Sequence, residues 1–131
     1  MAKERYLIDT HCWLWWHIEP KRLGKNAFSI IEDGRNEIFF SVISAWEISI
    51  KHSLKKLELP FSPARYIPER LSESYMDILP VRLDHTLLLA TLPLHHKDPF
   101  DRMLIVQASH QNLTLITCDK QFELYAINTV F

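Results

Sequence analysis

Five short apolar runs, separated by segments that carry helix start and stop signals, most constrain what this chain can fold into. Tyr6-Leu7-Ile8, "EIFFSV" (37–42), "DILPV" (77–81), "LTLIT" (113–117) and "YAINTVF" (125–131) each read as a strand. Between them, 11–18 reads as a helix stopped near Pro20, and 24–33 as a helix ended by Gly34. Residues 44–57 form an amphipathic helix; prolines 60, 63 and 68 mark a loop and a helix start that continues over 69–75. Helices over 84–92, ended by Pro93, and over 99–110 complete the pattern. Strands alternating with helices predict a mostly parallel sheet covered on both faces. The proline of 77–81 suits an edge strand or a strand end. Within 44–57, the spacing of Trp46, Ile50, Leu54 and Leu57 predicts one buried face.

A length of 131 residues, without repeats or linkers, predicts a single domain over 1–131 with a core that needs no covalent staples. The same reading makes the chain complete as a small free-standing protein. A net charge of −1 excludes a uniformly basic surface, so any nucleic-acid contact must be local. Cys12 and Cys118 form no CxxC pair and are too few for a disulfide framework; both read as small core residues in a reducing cytosol. Lys3 and Arg5 make the N-terminus basic, but Asp9 and His11 break the apolar run that a secretory signal needs. No 18-residue apolar stretch predicts a membrane span.

Parallel sheets bind ligands outside the carboxyl ends of their strands, and that rule gathers four acids. Asp9 follows the first strand, Glu47 falls in the first turn of the helix after the second, Asp101 opens the 99–110 helix, and Asp119 follows the fourth strand. Each also has a purely structural reading. Asp9 and Asp119 suit caps or turns, Ser44 to Glu47 reads as a capping box, and Glu47 with Lys51 as an i,i+4 ion pair. In "HKDPFDR" (96–102), Asp98 suits the N-cap, Pro99 the first helical position and Asp101 the first turn. Together the acids are harder to dismiss. Two carboxylates about 4 Å apart repel by roughly 4 kcal/mol at an effective dielectric near 20. Four at one cleft need protons, cationic partners or a bound metal. An oxygen-rich site of this kind suits Mg²⁺ or Mn²⁺, cations that activate water and offset charge during in-line phosphoryl displacement.

"LIDTHCWLWW", "SVISAWEISIK", "LPLHHKDPFDRMLIVQAS" and "LITCD", in that order and spacing, resemble a PIN-domain ribonuclease, and within that family the VapC-type toxins of bacterial type II toxin–antitoxin pairs. The likeness runs from Tyr6 to about Tyr125; HKDPFDR before an apolar helix is its most specific piece. It implies a PIN-like three-layer α/β sandwich and a metal and catalytic quartet of Asp9, Glu47, Asp101 and Asp119 holding one or two Mg²⁺ or Mn²⁺ ions. It also implies cleavage of RNA to 5′-phosphate and 3′-hydroxyl products, a homodimer, a VapB-like antitoxin covering the cleft, and a cytoplasmic location. Four supporting residues come with it. Thr10 and Thr117 match small hydroxyl positions beside the acids, Asp98 shapes or caps the helix, and Arg102 either reaches a phosphate or pairs with Asp98 or Glu47. One departure concerns the turn: where the family has glycine in "K..GKLELP", this chain has "KHSLKKLELP".

Other groups read as structural first. Trp13, Trp15 and Trp16 can stack on bases but suit a core, and Lys51, His52, Lys55 and Lys56 suit the solvated face of a helix as well as an RNA guide. His95 and His96 complete no spaced zinc set, and His11, His17, His52, His85 and His110 receive no role. A phospho-receiver domain would need neighbouring acids near the N-terminus and a late lysine beside proline. A haloacid-dehalogenase-type phosphatase would need an acid where His11 stands. The remaining alternative is a catalytically inactive PIN-like module that binds nucleic acid or protein.

Overall fold

The computed structural model describes residues 4–131, so Lys3 of the basic N-terminal stretch lies outside the described residues. Five strands form one sheet: β1 (Arg5–Ile8), β2 (Glu37–Ser41), β3 (Asp77–Leu79), β4 (Thr114–Ile116) and β5 (Thr129–Val130). Their order is β3-β2-β1-β4-β5, and every neighbouring pair is parallel. Six helices connect and cover them: α1 (Thr10–Ile18), α2 (Lys25–Glu32), α3 (Val42–Ser53), α4 (Pro63–Ser72), α5 (Leu83–Leu88) and α6 (Pro99–Gln111). Short 3-10 turns occupy Pro20–Arg22, Leu89–Thr91 and Lys120–Leu124. The sheet is wholly rather than mostly parallel, and the three-layer α/β sandwich is the expected PIN-like architecture.

Alternation along the strands makes the layers. Ile8, Ile38, Phe40 and Ile116 turn to one face, where they pack with Cys12, Trp13, Ile31, Ile48 and Tyr66. Leu7 and Leu115 turn to the other, against Met103, Leu104, Ile105, Ala108 and Phe122. Successive strand side chains point to opposite faces, so one short apolar run supplies both cores. Trp13 is fully buried in the first of them, while Trp15 and Trp16 pack at its margin. Gly24 lets the chain's end approach closely: a Cβ there would stand 2.1 Å from the Phe131 carbonyl oxygen.

Several elements differ from their sequence-based expectations. The helix predicted over 44–57 runs instead over Val42–Ser53, with Ser41 as its N-cap. Ser41 accepts a hydrogen bond from the Ile43 amide at 3.1 Å and donates one to Gln107 Oε1 at 2.6 Å. Ser44 is therefore inside the helix rather than at its cap, and Glu47 belongs to the second turn. The buried face carries Ile43, Ser44, Glu47 and Ile48; Trp46 is 59% exposed and Leu54 is exposed as well. Contact with the sheet and α6, rather than hydrophobicity alone, decides which side of α3 turns inward. Pro68 lies inside α4 rather than opening it. The strand predicted over 125–131 contracts to Thr129–Val130. Cys12 is buried as expected, but Cys118 is exposed.

Candidate active site

Because the strands are parallel, β1, β2 and β4 all end on the same edge, and each is followed by polar residues that turn back over it. Asp9 continues the ladder for one bond, its amide donating to the Ile116 carbonyl at 3.0 Å, then caps α1. Its Oδ1 accepts from the Cys12 amide at 2.8 Å. Burial raises the pKa of this carboxyl, opposed by hydrogen bonds from Thr117 and Cys12. Thr10, next along, donates to Ser44 Oγ at 2.8 Å and so ties α1 to α3. Thr117 accepts from the Asp119 amide at 3.1 Å, which places one hydroxyl between the two acids that flank β1 and β4.

The other acids arrive from helices. Asp98 caps α6, its Oδ1 accepting from the Phe100 and Asp101 amides at 2.9 and 3.0 Å. That cap fixes Asp101 in the first turn. Asp119 caps the 3-10 turn at Lys120–Leu124 through the Gln121 amide, at 2.9 Å. Glu47 is 1% exposed. Its Oε2 lies 2.5 Å from Lys51 Nζ, while its Oε1 is buried without a hydrogen-bond partner.

The charges of these groups meet at Asp101. Burial, then the charges of Asp98, Glu47, Asp9 and Asp119, push its carboxyl up to about 8. Three other segments, with Asp98 of its own helix cap, thus bring like charge to bear on one side chain. A cleft of this kind favours a small divalent cation, and the buried Oε1 of Glu47 is a carboxylate oxygen without a hydrogen-bond partner. The donor set is all carboxylate oxygen with one imidazole nearby, which fits Mg²⁺ or Mn²⁺.

His96 is the residue that sequence reasoning passed over. Its Nε2 lies 3.1 Å from both Asp101 Oδ2 and Asp119 Oδ2. The Asp98 amide donates to its Nδ1 at 3.2 Å, so a neutral ring carries its proton on Nε2 and offers it to Asp119, with Asp101 beside it. The backbone amides of His95 and His96 both donate to the Tyr125 hydroxyl, which in turn donates to the Pro93 carbonyl at 2.7 Å. The three ligand-type atoms of His96, Asp101 and Asp119 fall within 4.8 Å of one another. The sequence signal was the fixed spacing in HKDPFDR, read above for its acids alone.

Arg102 departs from its expected ion pair. It forms no ion pair with Asp98 or Glu47; its guanidinium donates to the carbonyls of Leu89, Leu92, Pro93 and His96 at 3.0–3.3 Å. The arginine pins the loop that carries His96, using a fork of donors where the chain offers free carbonyls. The altered turn is equally specific. Lys55, at the position of the family's glycine, has φ 59°, the left-handed region that favours glycine.

Comparison with known proteins agrees with this architecture. A family model described as the PIN domain matches residues 6–128. Ribonuclease VapC16 of Mycobacterium tuberculosis is 41% identical over 74 residues, an alignment taking in 53% of this chain and 52% of that protein. The chain thus spans about half the length of the curated relative it matches. Among solved structures, VapBC2 from Rickettsia felis, bound to a DNA fragment from its promoter, superposes with a TM-score of 0.72 at 15% identity, over 96% of this chain and 97% of the other. FitAcB from Neisseria gonorrhoeae gives 0.64 at 19% identity, over 96% of each chain. At such identities these two likenesses concern the fold.

Proposed function

Because the chain belongs to the PIN domain family, we propose that it is a divalent-metal-dependent endoribonuclease, the toxin half of a toxin–antitoxin pair. The observation that carries this reading is the convergence of Asp9, Glu47, Asp101 and Asp119 at one edge of the parallel sheet. The likeness to a VapC ribonuclease and to VapBC complexes supports RNA as substrate and a VapB-like antitoxin as partner. The antitoxin covers the cleft, an arginine or lysine of its own pairing with the acids. Among the described residues no helix is long and apolar enough to cross a membrane, and the proposed place of action is the cytoplasm. A homodimer is part of the same proposal.

The four carboxylates would hold Mg²⁺ or Mn²⁺, which when bound supplies Lewis acidity and activates water for attack on a phosphodiester. The chain's own contribution is preorganisation. The Cys12 amide fixes the Asp9 carboxylate, the Asp98 cap fixes the start of α6, and His96 Nε2–H donates to Asp119 while lying 3.1 Å from Asp101. Thr10 and Ser44 lock the two helices that bring Asp9 and Glu47 together. The decisive experiment pairs an RNA cleavage assay, with Mn²⁺ and with chelator, with expression in cells. Expression should stop growth, and Asp9→Ala or Asp101→Ala should relieve it in step with lost cleavage while the folded variants still bind the antitoxin. Folded variants as toxic as the parent would leave the inactive binding module as the better reading.

A further inference from the structure

Lys51 belongs to no part of the quartet, yet its ammonium pairs with one of its members, Glu47. Nζ lies 2.5 Å from Glu47 Oε2, and among the described residues no other lysine or arginine pairs with Asp9, Glu47, Asp101 or Asp119. Glu47 is enclosed, whereas the Lys51 side chain is about one-third exposed, so the lysine reaches the carboxylate from outside. The outside is a groove of about 450 Å³ whose charged lining is Arg22, Lys51 and Lys56 against Glu19 and Glu58, with Thr10 at one end. It begins at Thr10, the neighbour of Asp9, and so adjoins the acid cluster.

Two facts of electrostatics follow. An ammonium and a divalent cation at one carboxylate repel each other, so cation binding at Glu47 weakens the Lys51 pair. A lysine released from that pair has a flexible four-carbon stem and, with Arg22 and Lys56 on the same groove, offers a point charge to a phosphate of a nucleic-acid strand, although Glu19 and Glu58 offset those two neighbours. We infer that Lys51 is a positioning residue with two states: it neutralises Glu47 while the site lacks metal, and once displaced it contacts an RNA phosphate in the adjoining groove. The inference rests on the proposed metal-dependent cleavage of RNA. Metal and RNA binding are then coupled through one side chain, and the coupling is reciprocal.

The test uses the full chain, Lys51→Gln and Lys51→Arg. Mn²⁺ binding is followed by the paramagnetic resonance of the free ion, and binding of a cleavage-resistant single-stranded phosphorothioate RNA by fluorescence anisotropy. Lys51→Gln should bind Mn²⁺ about tenfold more tightly because its competitor is gone, and Lys51→Arg should stay near the parent. In the parent, Mn²⁺ should tighten RNA binding and steepen its logarithmic salt dependence by about 0.7, one added phosphate contact; Lys51→Gln should show neither change. An unchanged or weaker Mn²⁺ affinity in Lys51→Gln, with a lower melting temperature, overturns the inference and leaves Lys51 as an i,i+4 helix brace. A parent that binds Mn²⁺ and cleaves RNA while Lys51→Gln behaves identically overturns this inference alone. A parent that takes up no Mn²⁺ overturns the proposed function with it.

Discussion

Helix α1 has an ionisable group at each end, a buried carboxyl at its start and a half-buried imidazole in its last turn, and their surroundings differ. Asp9 caps its start, where the helix dipole favours an anion; His17 lies in its last turn, where the dipole favours a cation. Burial nevertheless moves both against the dipole, raising the Asp9 pKa and lowering that of His17 to about 4, with Arg70 adding to the second shift. His17 packs against Trp13 at 4.7 Å between ring centroids, and its Nε2 is buried without a partner. An imidazole resolves the conflict by remaining neutral at ordinary pH. At the other end, burial and the charges of Asp98, Glu47, Asp9 and Asp119 push the Asp101 carboxyl up to about 8, so the cluster sheds part of its charge by holding a proton unless a cation offsets it. Burial of charge thus invites a ligand at one end of the helix and merely silences a base at the other.

The sharpest way to break the comparison is by activity. Asp101→Asn should reduce RNA cleavage by roughly three orders of magnitude or more, while the metal-free fold is held or stabilised by the loss of repulsion. His17→Gln should leave cleavage within about twofold of the parent. Equal losses in the two variants, measured on folded protein, would mean that the ends are not functionally distinct.

Metal should act on one end only. Mn²⁺ at a hundred times its dissociation constant stabilises by about 2.7 kcal/mol, a rise in melting temperature on the order of 10 °C over chelator. His17→Gln should keep that rise and Asp101→Asn should lose most of it; a rise retained in Asp101→Asn would place the cation elsewhere.

The pH dependence should have opposite signs at the two ends. In chelator, the Asp101 carboxyl has its pKa raised from 3.8 to about 8. Its contribution to stability is complete below about pH 4 and is lost as pH rises to about 8. The His17 imidazole is lowered from 6.5 to about 4, so its contribution is complete above about pH 6.5 and is lost as pH falls through about 4. Denaturant melts across pH should show the alkaline-side loss flattened by Asp101→Asn and the acid-side loss flattened by His17→Gln. Slopes that ignore the substitutions would show that other groups control the profile.

Two smaller effects separate structure from chemistry nearby. Asp98→Ala should cost about 1 kcal/mol of cap stability and Asp98→Asn only a few tenths, with cleavage retained in the asparagine variant. An inactive Asp98→Asn beside a normally active Asp101→Asn would reverse the two roles. Lys55→Gly should add about 0.5–1 kcal/mol by relieving the left-handed backbone, read as a higher urea midpoint; a lower midpoint would mean that the lysine side chain has a role in the turn.

Local physics determined much of this protein from its sequence alone. Short continuous apolar runs placed the strands, and short-range capping placed Asp98 and Asp101, because a cap reaches only two or three residues along the chain. The parallel order followed from the alternation of elements, and with it the edge on which Asp9, Glu47, Asp101 and Asp119 gather. What the sequence left undecided depended on partners far along the chain. Ser44 read as the cap from its spacing to Glu47, but Gln107, 66 residues after Ser41, supplies the acceptor for Ser41, which caps the helix instead, and the buried face of α3 holds Glu47 rather than Trp46. His96 was one histidine among seven until folding set Asp119, 23 residues later, beside it. Arg102 had carboxylates nearby in sequence, but the carbonyls of a folded loop satisfied its donors. Propensity and capping act within a few residues, whereas hydrogen-bond satisfaction and burial are settled only when distant segments pack.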